Sequence, residues 1–189
     1  LLSRRDFLRR SALAALAAGV APAFIRSLRA ASPNETLLHA SFGTSGMAHS
    51  DIRGITRGKA RLVAVADVDL NKANALKKEF PDIKIYQDWR ELLEKEKSLD
   101  SVNVTVPDHM HAAMAMAAMQ LGKHVYCQKP LTHDVYEARR LTEFARQRKL
   151  VTQMGIQIHS SGIYREAVRI VQDGTIGKVK EVHTWSNKA

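Results

Sequence analysis

The sequence has a single cysteine among its 189 residues. That count excludes a disulfide-stabilised scaffold, a cysteine-rich zinc module and a Cys-x-x-Cys redox site. Aromatic residues make up only 6% of the chain, too few for the base-stacking platforms of single-strand nucleic-acid binders. The formal charge is +10, but residues 1–31 hold half of it through six arginines against one aspartate, and the rest is dispersed. We therefore expect no nucleic-acid partner.

The longest apolar run covers residues 12–25 and is too short for a bilayer span, which takes about 20 residues. It follows the pair Arg4 and Arg5, and small residues follow it, with Ala30 or Ala23 as candidate cleavage positions. This order resembles a twin-arginine (Tat) export signal. We predict a Tat-type signal peptide over 1–31, the Tat machinery as a partner, no stable membrane span, and a periplasmic or otherwise exported protein. The alternative is an amphipathic first helix of the domain.

Strand and helix patterns alternate through the rest of the chain. Apolar, strand-like runs fall at 36–42, 62–66, 84–86, 101–106, 124–127, 150–156 and 179–186. Helical patterns fall at 46–57, 69–80, 88–97, 111–121, from a capping box at Asp134 and Glu137, and at 164–172. Such alternation predicts an α/β fold with a doubly wound parallel sheet. These sheets bind ligands at the carboxyl ends of their strands, so we expect the site near 43–48, 67, 106–107 and 127–130.

The first strand ends in a glycine-containing turn that is typical of dinucleotide binding. Gly43, Ser45 and Ala48 stand at the Gly-x-Gly-x-x-Gly/Ala positions, and Gly46 lies beside the substituted second position. We predict Gly43, Ser45, Gly46 and Met47 as cofactor-binding, although any α/β protein can carry a glycine at such a turn.

Asp67 ends the second strand, 24 residues after Gly43, where an acid accepts hydrogen bonds from the adenosine ribose. A carboxylate there repels a 2′-phosphate, so we expect NAD rather than NADP. The alternative role for Asp67 is to cap the next helix, a role that Asp69 fills better.

The segment between the fourth strand and its helix reads Pro107-Asp108-His109-Met110-His111. A metal site needs three or four ligands, and no cysteine or acidic cluster accompanies the two histidines, so we predict no metal. Pro107 and His111 are instead expected near the cofactor, whereas Met110 and Met114 have the helical spacing of core residues.

The fifth strand ends in Gln128-Lys129-Pro130. Lys129 follows a buried strand directly and is restricted by the proline after it, whereas Lys123, before the strand, is expected to be solvated. Gln128 and Lys129 are predicted to contact the cofactor, and Lys129 is the candidate catalytic residue. An exposed lysine at a strand end is the alternative.

From about residue 37 to 187 the chain resembles the Gfo/Idh/MocA family, which includes glucose–fructose oxidoreductase and inositol dehydrogenase. The most specific match is the segment 124–131, which corresponds to the family's Glu-Lys-Pro motif; Pro107-x-x-x-His111 and the Gly174-x-Ile176-Gly177 turn match as well. Three positions depart from the family pattern: Gln128 replaces Glu, Val106 replaces Thr, and Ser45 replaces Gly.

The resemblance implies an NAD(P)-binding Rossmann domain over 33–159 and the truncated start of an α+β substrate domain over 160–189. It places Lys129 beside the nicotinamide and the substrate, and it implies a homo-oligomer for the full-length protein. The function implied is hydride transfer between NAD and a sugar or cyclitol CH–OH; we expect the chain as given not to catalyse it alone. The alternatives are an NAD-dependent glycosidase that oxidises C3 transiently and a non-enzymatic nucleotide- or sugar-binding protein.

Overall fold

The computed structural model describes residues 36–186; the export signal predicted over 1–31 lies outside them. Within that range six strands alternate with six α-helices. The strands are β1 (Leu37–Phe42), β2 (Ala60–Ala66), β3 (Lys84–Tyr86), β4 (Ser101–Val104), β5 (His124–Gln128) and β6 (Thr152–Gly155). The helices are α1 (Met47–Thr56), α2 (Leu70–Leu76), α3 (Trp89–Lys95), α4 (His111–Gln120), α5 (Val135–Arg148) and α6 (Gly162–Gln172).

The six strands form one sheet in the order β3-β2-β1-β4-β5-β6, and every neighbouring pair is parallel. This order confirms the predicted doubly wound Rossmann sheet. The chain first winds outward from β1 to β3 and then crosses back to β4, so the winding reverses between β1 and β4. A crevice opens at the carboxyl ends of the strands at such a reversal.

The core lies on both faces of the sheet because successive side chains along a strand point in opposite directions. In β2, Ala64 and Ala66 belong to a cluster that includes Phe42, whereas Val65 belongs to the opposite cluster with Ile52 of α1. Burial on both faces explains why these strands read as continuous apolar runs.

Two helix starts follow the predicted caps in detail. The Asp69 carboxylate accepts hydrogen bonds from the backbone N–H groups of Asn71 and Lys72 and so begins α2. Asp134 accepts from the N–H of Glu137, as a capping box requires. The reciprocal bond differs, because the Glu137 carboxylate accepts from the N–H of His133 and not from that of Asp134.

The strand predicted over 179–186 is wrong for this structure, which has no regular secondary structure there. Val182 is 75% and Trp185 is 88% exposed. A strand needs a neighbour to accept its hydrogen bonds, and the described sheet ends at β6. Within residues 36–186, no helix combines the length and apolar character needed to cross a membrane.

Candidate functional site

A cleft of about 940 Å³ opens at the carboxyl ends of β1, β2 and β4, where the winding of the sheet reverses. Five residues singled out by sequence line it together: Gly43, Ser45, Asp67, Val106 and Pro107. Its volume suits a nucleotide cofactor. A second cleft, of about 580 Å³, lies at the opposite ends of β2 and β3 and holds none of the predicted site residues.

The turn after β1 depends on two glycines with positive φ. Gly43 has φ 92°, and a Cβ on it would lie 2.1 Å from the carbonyl oxygen of Thr105 at the end of β4. Gly46 has φ 59° and ψ −121°, a conformation open essentially to glycine alone. The second glycine that the turn needs is therefore Gly46, and Ser45 is exposed beside it.

Helix α1 begins at Met47, and no side chain among the described residues caps it. Uncapped N–H groups and the helix dipole together favour an anion, as at the pyrophosphate sites of dinucleotide-binding folds. Gly46 and Met47 lie next to the cleft without lining it, and the Met47 thioether accepts a hydrogen bond from the Gln157 side chain at 3.3 Å.

The Asp67 carboxylate ties the end of β2 to the glycine turn. One oxygen accepts from the backbone N–H of Thr44 at 3.0 Å and from the Thr44 hydroxyl at 2.6 Å. The other oxygen accepts from the N–H of Asp69 at 3.0 Å. A carboxylate has about four lone-pair positions, so Asp67 retains capacity to accept from a ribose hydroxyl. Asp69 caps α2, and this division of roles removes the capping alternative for Asp67.

His111 joins the two loops that follow β4 and β5. Its ring is 1% exposed, with Nδ1 hydrogen-bonded to the Pro130 carbonyl and Nε2 to the Val106 carbonyl. The ring is therefore enclosed by the loops and does not line the cleft. Its predicted part in cofactor binding remains a prediction, and it would act by holding Val106 and Pro130 in place. Among residues 36–186, no three His, Cys, Asp or Glu side chains gather as a metal site needs.

Lys129 and Gln128 stand at the carboxyl end of β5, outside the lining of the cleft. The Gln128 side chain is buried, and its Oε1 accepts the backbone N–H of Lys129 at 2.9 Å. Lys129 itself is exposed, and its ammonium has no ion pair or hydrogen bond with another residue of the range 36–186. The peptide that joins it to Pro130 is cis. A cation held at a fixed backbone position and free at its tip is suited to meet an oxygen of a bound molecule.

The lysine before β5 behaves in the opposite way, and its predicted solvation is wrong. Lys123 is 9% exposed, and its ammonium donates to the carbonyls of Lys97 and Leu99 at 2.7 Å each. Burial lowers its pKa. Lys123 thus ties the loop before β4 to the amino-terminal end of β5, whereas Lys129 lies at the carboxyl end of that strand.

Sequence reasoning missed several residues of the cleft. Trp89 and Thr105 line it, and so do Met110 and Met114, which were predicted as core alone. Met114 is indeed 8% exposed, yet it closes the wall of the cleft from α4. Cys127 is 2% exposed, and burial raises the pKa of its thiol to about 12, so the single cysteine is a small core residue and takes no part in the cleft.

Comparisons with known proteins agree with this geometry. A family model described as "Oxidoreductase family, NAD-binding Rossmann fold" (GFO_IDH_MocA) matches residues 39–156. Inositol 2-dehydrogenase 1 of Saccharopolyspora erythraea is 34% identical over 145 residues, which cover 75% of this chain and 43% of that protein. An uncharacterised oxidoreductase of Rhizobium meliloti is 32% identical over 121 residues, covering 64% and 36%. The chain therefore spans about two fifths of the length of these relatives.

Solved structures give the same picture. The myo-inositol 2-dehydrogenase of Lactobacillus plantarum superposes with a TM-score of 0.71 at 26% identity, covering 77% of this chain and 43% of that one. An NAD-binding oxidoreductase of Klebsiella pneumoniae gives a TM-score of 0.64 at 30% identity, covering 75% and 40%. Because the family model spans more than half of the chain and the cleft lies where its fold binds a dinucleotide, this chain belongs to the Gfo/Idh/MocA oxidoreductase family and carries its NAD-binding Rossmann domain.

Proposed function

We propose that this protein is an NAD-dependent oxidoreductase that transfers hydride between the nicotinamide and a CH–OH group of a sugar or cyclitol. The observation that carries the proposal is the placement of one unpaired ammonium, that of Lys129, at the same sheet edge as the Gly43–Asp67 cleft. The relatives support the substrate class, since two of those compared are inositol 2-dehydrogenases.

The residues of the cleft fit NAD in three places. The uncapped start of α1 suits the pyrophosphate, Asp67 has lone pairs left for the ribose, and the apolar walls of Val106 and Met110 suit an aromatic ring. When bound, nicotinamide supplies a carbon that accepts or gives hydride.

Lys129 has two tasks in this proposal. In the reduction direction its ammonium donates a hydrogen bond to the carbonyl oxygen, and its charge stabilises the negative charge that develops there as the carbon accepts hydride. The ammonium then gives that oxygen a proton to form the hydroxyl, and in the oxidation direction the neutral lysine amine takes the same proton back as hydride leaves the carbon. The Gln128 side chain fixes the backbone of Lys129, and His111 fixes the loops on either side. These contacts give the ammonium a defined starting point, which is what orientation catalysis requires.

The test is NADH formation by the full-length protein with a panel of sugars and cyclitols, with Lys129→Met as the matched variant. We expect substrate-dependent NADH in the wild type and a loss of roughly 100-fold or more in the variant. Cleavage of glycosides without net NADH would instead indicate the NAD-dependent glycosidase chemistry. NAD binding without turnover on any substrate would contradict the oxidoreductase proposal.

We also propose export through the Tat pathway, on the strength of the pair Arg4 and Arg5 before the apolar run 12–25. Residues 1–31 fused to a reporter should reach the periplasm in a Tat-competent cell. Replacing both arginines by lysine keeps the charge and should block export; unchanged export would contradict the proposal. Assembly of the full-length protein into a homo-oligomer is proposed from the family resemblance, and light scattering checks it.

A further inference from the structure

A continuous series of hydrogen-bonded polar side chains crosses the interior of the sheet and ends at Lys129. Its members lie on β1, on β4 and directly after it, and on α1 and β5, in the order Ser101, His39, Asn103, Thr105, Asp51 and Gln128. Four of them, His39, Asn103, Asp51 and Gln128, are less than 9% exposed. Polar groups this deep are costly unless each is paired, and in the described part of the chain no buried side-chain nitrogen or oxygen lacks a partner.

The direction of each bond on the β1–β4 side follows from the chemistry of the groups. Burial lowers the pKa of His39 to about 4, so its ring is neutral at physiological pH and carries one N–H. Its Nε2 lies 3.0 Å from the Asn103 carbonyl, which only accepts, so Nε2 is the donor. The Asn103 amide then donates to the Thr105 hydroxyl at 3.0 Å, and that hydroxyl donates to Asp51 at 2.8 Å.

From the β5 side the bonds also run toward Asp51. The Gln128 amide nitrogen donates to both Asp51 oxygens, at 3.3 and 3.2 Å. That orientation turns the other end of the amide, Oε1, toward the backbone N–H of Lys129 at 2.9 Å. Asp51 is the acceptor on which both branches converge, and it has no ion pair with any residue in the range 36–186.

Strand β6, which pairs with β5, leaves room for this arrangement of side chains. Gly155 of β6 pairs with Gln128 in the sheet, and a Cβ on it would lie 2.8 Å from the Gln128 amide and 2.8 Å from the Tyr126 hydroxyl. Any side chain at 155 would therefore displace the Gln128 amide or the Tyr126 hydroxyl.

We propose that Asp51 is a positioning residue for Lys129: by accepting from the Gln128 amide it fixes the orientation of that amide, which in turn fixes the backbone of Lys129 beside the cleft. Asp51 lies on the second turn of α1, the helix whose start is placed for the cofactor phosphates. The network therefore connects the phosphate-binding helix to the reactive lysine. The catalytic consequence of this positioning rests on the proposed function.

The charge of Asp51 also accounts for the amide at position 128, where the family motif has Glu. A carboxylate at 128 would place its oxygens about as close to Asp51 as the present amide nitrogen, 3.2 to 3.3 Å, with no hydrogen to share between them. Like charges at that distance in a buried site repel strongly. The pair 51 and 128 can hold one carboxylate and one amide in either order.

This either-order property gives a sharp experiment on the full-length protein. The variants are Asp51→Asn, Gln128→Glu and the exchange of both, with Gly54→Ala as a control on the exposed face of α1. In the exchanged protein, the amide nitrogen now at position 51 would donate to the carboxylate now at position 128. That carboxylate would accept from the Lys129 N–H, and Thr105 would donate to the amide carbonyl at position 51, so each bond has a replacement. The measurements are kcat and KM for the polyol substrate, NAD affinity, and the hydrogen-exchange rate of the Lys129 amide in protein labelled with ¹⁵N-lysine.

Each single change is expected to lower kcat by roughly 10- to 100-fold with NAD affinity within about threefold, because the lysine is misplaced while the cofactor cleft is intact. Each should also speed exchange of the Lys129 amide by about tenfold, the equivalent of one lost hydrogen bond. The exchanged protein should return to within about threefold of the wild type in both measurements.

Two results would overturn the inference: an unchanged Lys129 exchange rate in the single variants, or an exchanged protein that shows the sum of the two defects. A purely structural role for Asp51 predicts the second result together with a lowered melting temperature throughout. If the wild type turns over no polyol but the exchange rates show the rescue, the proposed function fails and the positioning of Lys129 by Asp51 stands.

Discussion

Replacing Asp67 by asparagine should largely abolish the preference for NAD over NADP. Asparagine keeps the shape, and its carbonyl can still accept from the Thr44 N–H and hydroxyl, the two bonds that hold the glycine turn. The bond from Asp69 N–H is lost, since an amide nitrogen would face it. Alanine would be a poorer test, because the N–H and hydroxyl of Thr44, a residue 3% exposed, would then lose their partner.

The size of the effect follows from electrostatics. The 2′-phosphate of NADP replaces a ribose hydroxyl that we expect to bind Asp67, so it would lie close to that carboxylate. Two unit charges about 4 Å apart repel by ~1 kcal/mol in water and by ~4 kcal/mol near a protein surface. A repulsion of about 2 kcal/mol corresponds to roughly 30-fold weaker binding of NADP. Without the charge the ratio should fall to about threefold or less. Lys72 and Arg90 also line the cleft, but each is paired with an aspartate, Asp69 at 3.5 Å and Asp88 at 3.4 Å, so neither reverses the preference by itself.

Calorimetric titration of both cofactors into the full-length protein measures this ratio directly. Asp134→Ala is the matched control, because it removes a carboxylate that caps α5 and does not line the cleft. It should lower the melting temperature, as the loss of a helix cap does, and leave the ratio unchanged. Tighter binding of NADP by the wild type, or an unchanged ratio in Asp67→Asn, would refute the assignment of Asp67 to the ribose.

Three further predictions separate function from stability. Lys129→Met should lower turnover by roughly 100-fold with an unchanged melting temperature, whereas Lys123→Met should lower the melting temperature and leave turnover per folded molecule intact; the reverse pattern would contradict both assignments. Gly43→Ala should destabilise the domain by roughly 2 to 5 kcal/mol in urea titrations, because its Cβ would lie 2.1 Å from the Thr105 carbonyl oxygen. Gly46→Ala should cost only about 1 to 3 kcal/mol, because its Cβ meets no atom and only the backbone is strained. Equal losses in the two variants would be inconsistent with this geometry. Burial lowers the pKa of His39 from 6.5 to about 4, so between those pH values the unfolded chain binds more protons than the folded one. The free energy of unfolding should therefore be fully retained above pH 6.5 and fall by a total of the order of 3 kcal/mol toward pH 4. His39→Gln should flatten that slope.

The fold could be predicted from the sequence because the central strands β1, β2, β4 and β5 are largely buried and three helices, α2, α3 and α5, begin at a capping aspartate. Residues 84–86 were predicted as a strand with the bounds that the structure gives, and Asp69 caps α2 as expected. The strand at 179–186 failed because alternation describes a surface that needs a partner, and the described residues contain no strand beside it.

Gly43 and Asp67 could be found for a similar reason. Each ends a strand, and in a parallel sheet the carboxyl ends of neighbouring strands meet, so chain position alone predicts that they are close. The Met110 and Met114 side chains were harder to assign, since helical spacing indicates a packed face and does not say whether a cleft borders it. Lys123 and Lys129 are both lysines and flank the same strand, so the sequence does not distinguish them. The difference comes from the loop before β4, whose carbonyls at 97 and 99 accept from the Lys123 ammonium, whereas the Lys129 ammonium, for which we propose a catalytic role, is exposed.

The sequence also contains a pattern that points to Asp51, the residue that we propose positions Lys129. Ala48, Asp51, Ile52 and Ile55 recur at the spacing of one helix face, and the first three are buried, so a carboxylate stands on the apolar stripe of α1. A charged group in that position needs partners from another element, which here are the Thr105 hydroxyl and the Gln128 amide, 54 and 77 residues away along the chain. The glutamine at 128 and the acid at 51 therefore belong together, because two ionised carboxylates at that distance would repel each other, whereas the amide supplies the hydrogens that Asp51 accepts.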